Sequence, residues 1–206
     1  MRSTAISWSS RESWAPVGST PGEELAAEYG VSRIPVRDAL RLLEGEGLVS
    51  YTAHHGYQIT RLTEEELLEL QRLREILEDE AVRVGAPKIT AAALVMMNAA
   101  LTEMHHHEQA GDLASWGAAH RTFHFALYES AGMPSLTRIF GQAWDASDLY
   151  RSRYLRTRPG LRSASAAHRP ILAAARARDP DALLSLMERH RGTILGWLRH
   201  GAHDGR

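Results

Sequence analysis

Apolar residues recur at helical spacing through most of the 206-residue chain, and the places where the period fails mark its divisions. Glycine, serine and proline punctuate residues 1–22, where no apolar period lasts beyond a turn, so residues 1–20 read as irregular. From Pro21, the spacing of Leu25, Ala26 and Tyr29 predicts a short helix that Gly30 stops. Ser32 offers an N-cap and Pro35 falls in the first turn, so a second helix is expected to run to about Glu44. Two β-prone pieces, Val49–Thr52 and Tyr57–Thr60, flank Ala-His-His-Gly, with Gly56 available for a positive φ in the turn. The order is helix, turn, helix, hairpin.

Thr63 with Glu66 three residues on is a capping box, and Leu70, Leu73, Leu77 and Ala81 then mark the apolar face of a long helix to about Arg83. Further helices are predicted over roughly 90–110, 113–131, 134–155, 166–178 and 181–200, separated by Gly-Asp, Gly-Met-Pro, Arg-Pro-Gly and Asp-Pro breaks. The chain therefore reads as mainly α, with a small helix-and-hairpin unit at 1–62 and an all-helical unit at 63–206.

Composition narrows the chemistry. With 44% hydrophobic and 24% charged residues the chain can bury a core, and it has neither an 18-residue apolar run nor the apolar stretch of a secretory signal, so a cytoplasmic location is expected. The absence of cysteine excludes disulfides, thiolate zinc sites and cysteine nucleophiles, so a transition metal would have to be held by the 11 histidines and the carboxylates. A net charge of -1 exerts no global pull on nucleic acid. Residues 1–60 carry five arginines against seven acids, so any affinity for DNA rests on where the charges sit.

Arg33, Arg37 and Arg41 stand four apart on the second helix and share one face, drifting by about 40° per step. Val36, Ala39, Leu40 and Leu43 take the other side. A guanidinium can fork onto guanine or onto phosphate, and a helix preceded by a short helix and a tight turn has the shape that enters a major groove. By itself such a stripe is also what a solvated helix face looks like. The string VSRIPVRDALRLLEGEGLV resembles the GntR-type winged helix-turn-helix over about residues 21–60. That resemblance implies double-stranded DNA as a partner, with Ser32, Arg33, Arg37 and Arg41 at the recognition helix and His55 and Gly56 in the wing. The family's usual first helix is replaced here by a ragged set, Ile6, Trp8, Trp14 and Val17.

His120 and His124 lie one turn apart on a strongly apolar helix, a spacing that lets two imidazoles grip one ion; His168 and His190 sit beside apolar residues on later helices. Each alone reads as an ordinary core or surface histidine. Residues 63–200 resemble the FCD ligand-binding domain of the FadR subgroup of GntR regulators. The resemblance implies a bundle metal held by His120, His124, His168 and His190, with His120 standing where the family usually has Asp or Asn. Four neutral nitrogens would leave the ion its full charge, favouring a divalent transition metal such as zinc or nickel and attracting a small carboxylate effector. Arg74 matches a family arginine that meets an effector's acid group, or else forms an i,i+4 salt bridge to Glu78; Tyr150 and Tyr154 can reach a pocket or be core. His105, His106 and His107 point about 100° apart and read as a solvated helix end.

The expected function is a homodimeric transcriptional repressor on a palindromic operator, with no enzymatic activity and no membrane partner. The alternatives are a metal-dependent hydrolase or isomerase, with Glu129 as candidate base, and a zinc- or nickel-sensing regulator.

Overall fold

The computed structural model describes residues 21–53, 56–60, 62–155 and 158–201, excluding the side chains of 21, 59, 64, 149–155, 158–164 and 193–201. Trp8, Trp14 and the other candidates for a first helix, the wing residue His55, and the side chains of Tyr150 and Tyr154 lie outside the described residues. The chain divides into two compact units, Met1–Leu68 and Glu69–Arg206.

In the first unit, α1 (Pro21–Glu28) and α2 (Arg33–Gly45) precede an antiparallel hairpin of β1 (Val49–Thr52) and β2 (Gly56–Ile59). Strand register pairs Val49 with Ile59 and Thr52 with Gly56. Gly56 has φ +76°, which a side chain would resist at this turn. Ala26, Val36 and Leu40 form the core, with Leu25 and Tyr57 packed on it. The spacing of Val36 and Leu40 therefore fixes which side of α2 faces inward, and by subtraction where its arginines point.

The second unit is helical: all but the first five residues of α3 (Glu64–Gly85), then α4 (Ala91–Ala110), α5 (Leu113–Tyr128), α6 (Pro134–Leu155), α7 (Arg158–Ala177) and α8 (Pro180–Gly201). Among the described residues no helix is long and apolar enough to cross a membrane. The capping box that starts α3 is made as the sequence implies: the Thr63 backbone N–H donates to Glu66 at 2.7 Å and the Glu66 N–H to Thr63 Oγ1 at 3.2 Å. At α5 the Asp112 carboxylate accepts from the Ser115 backbone N–H at 3.1 Å. Trp116, Phe123, Leu127 and Tyr128 on α5 are fully buried, so this helix lies at the centre of the core.

Two expectations need correction. α7 begins at Arg158, not near residue 166, because Pro159 falls in its first turn, where a missing N–H costs no intrahelical bond. It also runs through Pro170. On α3 the buried face is only partly the expected stripe: Ala81 is buried and Leu77 packs on the core, but Leu73 is 44% exposed, while Gln71, Arg74 and Glu78 are buried. Helical period predicted the helix, but the inward face carries charge, and that charge belongs to a network.

Candidate metal centre and nucleic-acid interface

On α2 the three arginines are exposed, opposite buried Val36 and Leu40. Arg33 pairs with Glu23 of α1 at 2.6 Å; among the described residues neither Arg37 nor Arg41 forms an ion pair. Ser32 occupies the N-cap position in extended backbone but makes no side-chain cap hydrogen bond, contrary to the expected capping. Helix, turn, helix and hairpin thus present a face with two uncommitted guanidiniums.

In the helical unit four buried imidazoles converge. His120 and His124 come from α5, His168 from α7 and His190 from α8, and one ring nitrogen of each lies within 4.8 Å of the other three. The Nε2 of His124 stands 3.1 Å from that of His120 and 3.0 Å from that of His168. A tetrahedron with Zn–N bonds of about 2.0–2.1 Å has edges of about 3.3–3.4 Å; these two separations fall slightly inside that edge, and all four nitrogens lie within 4.8 Å of one another. The donor set fits a transition metal.

The walls are aromatic. Trp116, four residues before His120, stacks on that imidazole at 4.7 Å between centroids, and its indole N–H donates to Ser165 of α7 at 3.1 Å. Trp144 of α6 lies 5.3 Å from His120 and 5.6 Å from His124. These rings keep water off the imidazoles and limit their rotation.

Behind His124 runs a chain of polar contacts. Its Nδ1 is 3.1 Å from the Tyr128 hydroxyl, which donates to Glu78 Oε1 at 2.8 Å. Glu78 Oε2 accepts from Arg191 at 2.7 Å, and Arg191 also reaches Asp79 at 2.9 Å. Burial and then the Glu78 charge push the Tyr128 hydroxyl well above the usual phenol value of 10.0, so it remains a neutral donor. A phenol held protonated in the fold but free to ionise when unfolded contributes stability that is complete below pH 10 and falls as pH rises further. Denaturant unfolding above pH 10 should therefore show stability declining more steeply in the unaltered protein than in Tyr128→Phe; parallel curves would contradict this.

Arg74 is buried, donates to Ser147 at 2.7 Å, lies over the Trp144 ring at 4.8 Å and stands 4.0 Å from Glu78. It is thus near the carboxylate of its ordinary reading without a close bond to it, and one tryptophan away from the imidazoles. Glu129, the base candidate of the enzyme alternative, is exposed and lines an open groove with Arg121, Phe125 and Met133, on a different face of α5 from His120 and His124. His105 and His106 are exposed on the last turns of α4, as expected of a solvated end. Tyr128, Glu78, Arg191 and Trp116 were not read from sequence as site residues. The available signal was the four-residue stride Trp116, His120, His124, Tyr128.

Residues 69–193 match the FCD domain family, and residues 21–59 match the family described as "Bacterial regulatory proteins, gntR family". The chain is similar to a "Probable D-xylose utilization operon transcriptional repressor" of Paenarthrobacter nicotinovorans, 31% identical over 90% of this chain and 81% of that one. It is 27% identical to the "HTH-type transcriptional repressor GlaR" of Escherichia coli over 81% of this chain and 79% of the relative. Among solved structures, E. coli McbR/YncC has a similar fold, with a TM-score of 0.79, 23% identity and coverage of 88% and 87% of the two chains.

Proposed function

The chain belongs to the gntR family of bacterial regulatory proteins and carries an FCD domain, so it is a DNA-binding transcriptional regulator, and we propose that it is a homodimeric repressor answering to a small carboxylate bound over a transition metal. The convergence of four buried imidazoles carries the metal reading. His120, His124, His168 and His190 would hold the ion, and with no cysteine in the chain the donors are all nitrogen, which suits zinc or nickel better than magnesium or manganese.

Charge supports the anionic effector. Neutral imidazoles cancel none of a divalent ion's charge, and the Glu78 carboxylate is already shared by Tyr128 and Arg191. An ion there leaves the core with a positive excess that a carboxylate would offset, Arg74 being a second cation behind Trp144. Any effect on DNA binding requires the carboxylate to prefer one arrangement of the dimer's two recognition helices. Exposed Glu129, apart from the imidazoles, weakens the hydrolase alternative.

The DNA-binding arm is tested on an operator selected from random duplexes. Arg37→Ala should weaken binding to it by about 1 to 3 kcal/mol, a factor of about 5 to 150, with an unchanged melting curve, because Arg37 is exposed and its loss opens no cavity. The selected site should be a palindrome bound by two chains. Equal affinity of the unaltered protein for selected and scrambled duplex would defeat the reading.

A further inference from the structure

Metal ligation by an imidazole needs one particular nitrogen to be bare, and which nitrogen that is depends on the group bonded to the other. A hydroxyl has a single proton to give. The Tyr128 hydroxyl gives its proton to Glu78 Oε1 at 2.8 Å, so toward His124 Nδ1, 3.1 Å away, it can only accept. His124 must then carry its hydrogen on Nδ1, which leaves a lone pair on Nε2, the atom that faces the Nε2 atoms of His120 and His168. Glu78 cannot reverse the sequence, because its other oxygen is held by Arg191, a group with donors only.

We propose that Tyr128, anchored by Glu78, is the positioning residue of the histidine cluster, fixing His124 in the Nδ1–H form so that Nε2 is presented to an ion. Tyr128 touches the ligand and never the ion. The consequence for affinity rests on the metal reading above; the tautomer does not. The contacts cross three helices, α5 to α3 to α8, so the protonation pattern of one ligand is set by residues far apart in sequence.

Glu78→Gln separates positioning from bulk. The Arg191 donors would claim the amide oxygen, turning the NH2 group toward Tyr128; the hydroxyl would then donate to His124 Nδ1 and move the histidine hydrogen to Nε2. Shape is kept and the tautomer is inverted. Tyr128→Phe instead removes the instruction and leaves both tautomers accessible.

The test has two parts. Nitrogen-15 spectra of the metal-free, unaltered protein report which ring nitrogen of His124 carries hydrogen, and zinc affinity is measured by chelator competition on the unaltered protein, Tyr128→Phe and Glu78→Gln. We expect Nδ1–H in the unaltered protein, Nε2–H in Glu78→Gln, and zinc binding weaker by about 10- to 100-fold in both variants. An Nε2–H His124 in the unaltered protein overturns the proposal, as does unchanged zinc affinity in both variants. Should the unaltered protein bind no zinc, the metal reading fails, and the spectra of the metal-free protein still decide the role of Tyr128. A variant that does not fold leaves the decision to those same spectra.

Discussion

Zinc-supplemented protein made without a histidine tag should carry about one ion per chain, and His124→Ala should carry less than a tenth of that. His124 supplies one of the four nitrogens, with its Nε2 about 3 Å from two others, so its removal leaves the site a ligand short. Ligand binding stabilises the folded form by roughly 3 to 4 kcal/mol when the free ligand is 100 to 1,000 times its dissociation constant. For a unit of this size a chelator should therefore lower the melting temperature by on the order of 10 °C. His124→Ala should melt at one temperature with and without chelator. Four unrelated histidines would give no stoichiometric ion and no chelator effect, and elemental analysis together with paired melts distinguishes the two cases.

Glu78→Ala should cost about 3 to 5 kcal/mol of unfolding free energy, read from denaturant titration of metal-free protein. The carboxylate is 2% exposed and Arg191 12%, so its removal leaves a nearly buried guanidinium with only the half-exposed Asp79 to pair with and takes away the acceptor of the Tyr128 hydroxyl. That loss is a large share of the 5 to 15 kcal/mol that typically separates folded from unfolded chains. Asp79 meets the same arginine at 2.9 Å but is 39% exposed, so Asp79→Ala should cost about 1 kcal/mol or less. Similar losses at the two positions would mean that burial does not govern this network.

The two positions also show what the sequence could and could not disclose. Period and punctuation were enough for the existence of the eight described helices and the hairpin, because Gly30, Gly111 and Pro134 stand at element ends and Val36 and Leu40 at inward positions, but not for the start of α7, where Arg-Pro-Gly reads as a break and the helix begins at Arg158. The i,i+4 pair His120 and His124 was legible, whereas its meeting with His168 and His190 was legible only through resemblance, since long-range convergence leaves no mark on local spacing. Glu78 was hidden for a different reason. A charged residue on an amphipathic helix reads as solvated, and only the packing of α5 and α8 against it makes it internal. Arg74 shows the same ambiguity: its sequence spacing names Glu78, at 4.0 Å, while it donates at 2.7 Å to Ser147, 73 residues away.

A four-residue stride does not run straight up a helix. Each step advances about 6 Å and turns about 40°, so the row from Trp116 to Tyr128 winds through about 120°. That winding lets Trp116 end against Ser165 of α7 and Tyr128 against Glu78 of α3, while the two histidines between them face the interior. The arrangement depends on phase. Removing one residue between His120 and His124 would swing every later side chain by about 100°, dispersing the cluster and detaching Tyr128 from Glu78 although each of those residues would still be present in the chain.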